Sequence, residues 1–350
     1  MDGTIYEFER LPMANGAVRS VRADALRQAG ATDGVGLTGV IRNPRSHRNK
    51  GLVPEMSDRP EVITRTPATR EELASDLADF ARLGVSLLAV DGGDGTVRDV
   101  LTCGARVYDG NWPRMAVLPK GKTNALAVDL GLPNHWSLCE AIAAHRADQL
   151  IERRPIIVSR ADSGADESEG RVIGFILGAG LFTTATNTGQ VAHRFGAFNS
   201  FAVAVTAVAG ILQGLFGMGR RGWRGTTPMR VMAGSPGQEV PRSRYYRPDE
   251  RFVVLLSTLN AFPLGMKPFG SPADGIKYLV VDHPLRRVIA LAPLLLAGWE
   301  GVAWTKLGVH RGHADAVLLE VDDKFIVDGE AFPPGRYNLS LGPKLQFVVP

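Results

Sequence analysis

Residues 88–101 read LAVDGGDGTVRDVL, and Gly92-Gly93-Asp94-Gly95, directly after an apolar run, is a stretch whose residue types point to chemistry. Three glycines in four positions are costly to order, because glycine loses more backbone freedom on folding than any other residue. A strand, a bare loop and a helix start let backbone N–H groups and the positive end of the helix approach phosphate oxygens unobstructed. An aspartate facing phosphates is repelled unless it is linked to a metal ion or takes a proton from an attacking hydroxyl. The combination points to phosphoryl transfer. The plainer alternative is a tight turn whose aspartate caps a helix beginning at Val97.

Two familiar phosphate motifs fail here. The dinucleotide fingerprint GxGxxG needs a third glycine where Arg98 stands, and Gly121-Lys122-Thr123 resembles the tail of a Walker A loop whose leading glycine falls on Ala116. The second loop still places Lys120 and Lys122 as cations, and Thr123 and Asn124 as hydrogen-bonding groups, beside the same edge.

The elements that position these loops follow from periodicity. GLTGVIRNPRS reads as a strand ending in a loop, and ATREELASDLADFARLG as an amphipathic helix with Thr69 and Glu72 as a capping box. SLLAV is a strand, a helix runs from about Val97, MAVLP is a strand, and ALAVDLGL is a helix closed by Gly131. Strands alternating with helices imply a parallel α/β domain, which binds ligands at the carboxyl ends of its strands. After about residue 150 the segments RPIIVSRAD, RVIGFILGAG, MRVMAG, RFVVLLSTLN, IKYLVVD, ADAVLLEVDDKFIVDGE and KLQFVV read as strands. The expected organisation is an α/β domain over 1–150, with 1–34 as an extension, and a β-rich, sandwich-like domain over 151–350. The last strand is one that could return to the first domain, and the active site is expected in the cleft between the two.

The stretch SRADSGADESEGR reads as an exposed hairpin loop. Two apolar stretches, 201–217 and 288–304, read as core helices or as helices resting in a membrane interface; Gln213 and Glu300 and their short length argue against crossing a bilayer. Arg220, Arg221, Trp223 and Arg224 would then sit at headgroup level.

At 350 residues and 45% hydrophobic, the chain can bury a large core. A net charge of +4 is too mild to argue for nucleic acid and compatible with anionic phosphates or lipid headgroups. Cys103 and Cys139 form no CxxC pair, and the start MDGTIYEFERLPM lacks an apolar core, so a reducing, cytoplasmic setting is expected. His310, His313 and Asp315 read as a solvated loop, and RSRYYRPDER as a charged edge or membrane-facing rim.

Asn43-Pro44-Arg45-Ser46, Gly92 to Thr96, and Pro119 to Asn124 followed by ALAVDLGL resemble, in order and spacing, the catalytic domain shared by diacylglycerol kinases, sphingosine and ceramide kinases and the bacterial soluble lipid kinases. GFILGAGLFTTAT, HRFGAF, Asn260, the segment at 271–275 and Val327-Asp328-Gly329-Glu330 are similar to that family's second domain. The resemblance spans roughly 37–348. It implies ATP and Mg2+ as cofactors, a membrane lipid as acceptor, and peripheral contact with the inner membrane face, with oligomeric state left open. Carried over, Asn43, Ser46, Thr66, Gly92, Gly93, Gly95 and Thr96 would face the nucleotide, and Lys122, Thr123 and Asn124 would border it. Asp94 would lie at the reacting centre, as base or as the carboxylate linked to Mg-ATP, and Asp328 and Glu330 would reach the cleft from the second half. The departures are Lys122 within the second loop, His47 after Ser46, and Arg98 and Asp99 where asparagine and glutamate are common. These leave the acceptor, diacylglycerol or a ceramide or sphingoid lipid, unchosen.

Three other readings compete. NAD kinases share the glycine loop but carry an adjacent Asn-Glu pair that does not occur here, and phosphofructokinases carry an acidic segment that is absent. A phosphate- or membrane-binding module without chemistry is the third.

Overall fold

A computed structural model describes residues 36–161, 170–180, 226–234, 237–244, 249–271, 274–283, 285–301 and 303–350. The expectations for the loop at 162–169 and for the apolar stretch 201–217 fall outside the described residues.

The alternating pattern of the first half builds a mixed, mostly parallel sheet. Its strands are β1 (Thr38–Arg42), β2 (Val62–Arg65), β3 (Leu87–Gly92), β4 (Arg114–Pro119), β5 (Leu150–Arg153) and the distant β19 (Leu345–Val348), in the order β2-β1-β3-β4-β19-β5. The first four run parallel, β19 is parallel to β4, and β5 is antiparallel to β19. β1 and β3 are buried along their whole length, as parallel strands inside a covered sheet are. Helix α1 (Arg70–Arg82) turns Leu73, Leu77 and Phe80 inward, and α2 (Asp94–Tyr108), α3 (Ala125–Asp129) and α4 (Leu138–Arg146) follow β3 and β4.

The second half forms two antiparallel sheets. One holds β6 (Ile156–Arg160), β7 (Arg171–Gly174), β9 (Thr227–Ala233), β10 (Gln238–Glu239), β11 (Glu250–Arg251), β15 (Ala316–Val321) and β18 (Gly335–Leu341). The other holds β8 (Ile176–Gly180), β12 (Val253–Ser257), β13 (Ile276–Val281), β14 (Val309–Ala314), β16 (Phe325–Val327) and β17 (Glu330–Phe332). Val158, Val172, Val231, Leu319 and Leu339 of the first meet Leu177, Val254, Leu256 and Phe325 of the second in one core, giving the expected sandwich. The outer face of the second sheet supplies Leu279 and Val281 to the core that also contains Val97 and Leu126, so this sheet also packs against the α/β lobe.

Several local expectations are corrected. Helix α2 starts at Asp94, with Gly93 as its N-cap, and not at Val97. On α1, Thr69 Oγ1 accepts from Glu72 N at 3.2 Å, but the Glu72 carboxylate turns to Ala68 N instead of closing the box; the reciprocal pair is Ser137 and Glu140 on α4. RVIGFILGAG is two strands in different sheets, broken at Phe175. The stretch 288–304 is interrupted because Pro293 opens a new helix, leaving α5 (Arg286–Ala290) and α6 (Ala292–Leu296). No helix among the described residues is long and apolar enough to cross a membrane. His310 lies on strand β14, 3.0 Å from Asp282, and Arg251 of the Arg-rich stretch is fully buried against the same aspartate, so neither is a solvated feature.

Candidate active site

Parallel strands end at one edge, so the loops after β1, β3 and β4 lie side by side. Asn43 N donates to Asp91 O (3.0 Å), Lys120 N to Gly92 O (3.1 Å) and Arg48 N to Lys120 O (3.0 Å). Below them Asn49 Nδ2 bonds Asn43 O and both the carbonyl and carboxylate of Asp91, and Arg42 stands 3.7 Å from that carboxylate. The amide of Asn43 donates to Thr96 Oγ1 at 3.0 Å, which ties the first loop to the first turn of α2.

The glycines have an internal reason besides access for phosphates. A Cβ on Gly92 would stand 2.5 Å from the Thr96 side chain, and one on Gly93 would stand 2.9 Å from Gly121 Cα. The two glycine loops therefore touch backbone to backbone. Ser46 is buried, and its Oγ has no hydrogen-bond partner among the described residues. Asn124, with φ of 50°, uses its side chain within its own loop, accepting from Gly121 N at 2.8 Å and donating to Gly121 O at 3.1 Å. Lys122 and Thr123 are exposed on that loop, and Thr66 is exposed just beyond the end of β2. Lys120 bonds Glu55, whose other oxygen receives Leu138 N, so its charge serves the packing of α4.

Asp94 and Asp328 come together from opposite lobes. The Asp94 carboxylate accepts from Ala125 N (3.0 Å) and Leu126 N (3.1 Å), the first amides of α3, so it caps a helix other than its own. Asp328 sits in the turn between β16 and β17 with φ of 43°, a left-handed conformation that aspartate tolerates. Its oxygens accept from Phe175 N and Ile176 N, both at 2.9 Å, where the chain passes from β7 to β8. Both aspartates line one small pocket with Val97, Ala125, Leu126, Phe175, Ile176 and Leu259.

Burial acts on both carboxyls in the same direction. Burial, and then the nearby Asp94 carboxylate, push the Asp328 carboxyl up to about 7, against the pull of the two amides and Arg98. Burial also raises Asp94, opposed chiefly by the Ala125 and Leu126 amides. Glu330, at the start of β17, is buried and its carboxylate acts on the Arg98 guanidinium.

Arg98 and Asp99, which the sequence marks only as departures from the family pattern, are fully buried and paired at 2.7 Å. Asp129, Arg153 and Lys277 carry no such mark in the sequence. Asp129 bonds Arg153 and accepts from Asn260 N and Ala261 N, and Lys277 donates to Asn260 Oδ1 at 2.9 Å, so one polar chain runs from α3 to β13. A lone aspartate inside ALAVDLGL gives no spacing signal; a charge on the inward side of a short helix was the one clue.

Residues 39–152 match the family model of the diacylglycerol kinase catalytic domain. That match begins in β1 and ends in β5, taking in every loop of the first lobe described above. No curated protein matches the chain. Among solved structures, a diacylglycerol kinase from Bacillus anthracis str. Sterne is 15% identical with a TM-score of 0.58, covering 90% of this chain and 97% of that one. Two structures of a candidate diacylglycerol kinase from the same organism give 14% and 15% identity with TM-scores of 0.60 and 0.61 over the same shares. At such identities the likeness is one of fold, and it extends over both lobes.

Proposed function

We propose that the protein is an ATP-dependent lipid kinase that transfers the γ-phosphoryl group to the hydroxyl of a membrane lipid, diacylglycerol or a ceramide or sphingoid lipid. The observation that carries this reading is the meeting of Asp94 and Asp328 in one pocket beside the touching glycine loops. The loops fit a nucleotide triphosphate: Ser46 holds a buried hydroxyl without a partner among the described residues, and the N-terminus of α2 points a helix end at the same edge. Among the described residues no group of three or more acidic, histidine or cysteine side chains could hold a metal ion by itself, so a divalent cation would come with the nucleotide phosphates, and Asp94 is the carboxylate proposed to link to it. Bound Mg2+ would offset phosphate charge in the transition state.

Within that reading the two aspartates divide the work. Asp94, held by two α3 amides, is the carboxylate linked to Mg-ATP. Asp328, lifted to about 7, is the group suited to take a proton near neutral pH. The lipid oxygen bonds to the γ-phosphorus, the bond to the β-phosphate oxygen breaks, and the hydroxyl proton passes to Asp328. Membrane contact is supported by Leu264, Leu294 and Trp299, which are exposed on adjoining turns: Trp299 N bonds Leu294 O, and Lys267 N bonds Leu296 O. Exposed Arg286 and Arg287 lie at the start of the same segment.

The test is incubation with Mg-ATP and mixed micelles containing diacylglycerol and ceramide, with products read by mass spectrometry. Phosphatidic acid or ceramide phosphate is expected, lowered roughly two to four orders of magnitude in Asp94→Asn and in Asp328→Asn. Full activity in either variant removes that residue from the mechanism, and phosphorylation of a soluble acceptor alone overturns the lipid assignment.

A further inference from the structure

Arg98 heads the largest fully buried side chains among the described residues, and nothing in the proposed reaction uses it. It stands one helical turn after Asp94 on α2, so the two lie on the same face. Its Nε and Nη2 meet Asp99 Oδ1 at 3.3 and 2.7 Å. Its Nη1 leaves the first lobe and donates to the carbonyl of Val327 at 3.2 Å, the residue immediately before Asp328. The guanidinium is also held charged by the Glu330 carboxylate, on the far side of the same turn.

One side chain thus grips the backbone of the acidic turn from the helix that begins with Asp94. A buried arginine whose planar fork divides between a carboxylate and a carbonyl fixes both in direction as well as distance. We propose that Arg98 is a positioning residue, which holds the Asp328–Glu330 turn of the second lobe at a set distance from Asp94. This rests on the lipid-kinase reading for its consequence in turnover, but the clamp itself is a statement about the turn. The turn is already held on its other side by the Phe175 and Ile176 amides, so loss of the clamp loosens one side of a two-sided mount.

Two measurements separate the clamp from the reaction. Removing the guanidinium alone strands Asp99 in the interior, so the test uses R98M/D99N, which removes the pair as a unit, beside R98K. Hydrogen exchange at the Phe175 and Ile176 amides is expected to quicken at least about tenfold in R98M/D99N, with the Leu177 and Ala179 amides of the same strand unchanged. In the kinase assay, kcat is expected to fall roughly 30-fold or more with KM for ATP within about threefold, and R98K is expected to recover part of the loss. Unchanged exchange at Phe175 and Ile176 in a folded variant overturns the clamp, whether or not the wild-type protein phosphorylates a lipid. Quickened exchange with unchanged kcat overturns its part in turnover, and a protein without lipid kinase activity would be recognised from the wild type alone.

Discussion

At the scale of residues, Asp328 carries opposed demands. Its folded carboxyl is raised above the ordinary range to about 7, so the native state holds its proton more tightly than the unfolded chain does. The stability it contributes is therefore fully present at acidic pH, below the unfolded value near 4, and is lost as pH rises through about 7. Asp328→Asn should remove that loss. Without nucleotide, its melting temperature relative to wild type should rise between pH 5 and pH 8, by the equivalent of at least about 1 kcal/mol. A constant difference across that range would count against a proton held at this site. Asparagine also accepts the left-handed backbone there, so the comparison is not blurred by strain. The glycine loop and its aspartate were legible because their types are rare together after an apolar run. The partners of Asp94 were not, because a carboxylate capping a helix 31 positions away leaves no local periodicity.

At the scale of elements, one tight constraint is the contact between the loops after β3 and β4. A Cβ on Gly121 would stand 2.7 Å from Gly93 Cα and 2.8 Å from Asn124 Oδ1, and the first of these is backbone that cannot swing aside. Gly121→Ala should part the loops, at a cost of about 1–3 kcal/mol typical of overpacking. Titration of the folded variant with ATP is expected to show affinity weakened roughly tenfold; affinity equal to wild type would mean that the loop spacing does not matter for the nucleotide. Most elements could be read from apolar period. Where the reading slipped, tertiary packing decided. RVIGFILGAG has one unbroken apolar pattern, yet Phe175 is where the chain leaves one sheet for the other, and the break is marked only by the amides that Asp328 takes. The missed capping box at Ser137 and Glu140 was visible in sequence, and the one expected at Thr69 fails because Glu72 reaches a residue too far.

At the scale of the whole molecule, the polar chain of Asp129, Arg153, Asn260 and Lys277 and the reach of Arg98 to Val327 join the lobes by half-buried and buried hydrogen bonds in addition to apolar contact. The rim formed by Leu264, Leu294 and Trp299 lies on the second lobe, and Trp299 is 56% exposed while its carbonyl is held by Trp304 Nε1 at 2.7 Å. Trp299→Ala should lower partition onto vesicles containing anionic lipid roughly tenfold in a flotation assay, the scale of losing one inserted aromatic ring. Unchanged flotation would move membrane contact elsewhere on the surface. Strand β19 adds a constraint of time. Its neighbours β4 and β5 are made roughly 200 residues before it, which at ribosomal rates is on the order of 10–40 s. During that interval β5 has no partner in the sheet, and Phe347 is missing from the core beneath β4. The nascent first lobe must therefore wait, with an open strand edge, for the second lobe to be made and to deliver its closing strand; a first lobe synthesised without it would begin as an exposed edge and not as a finished module.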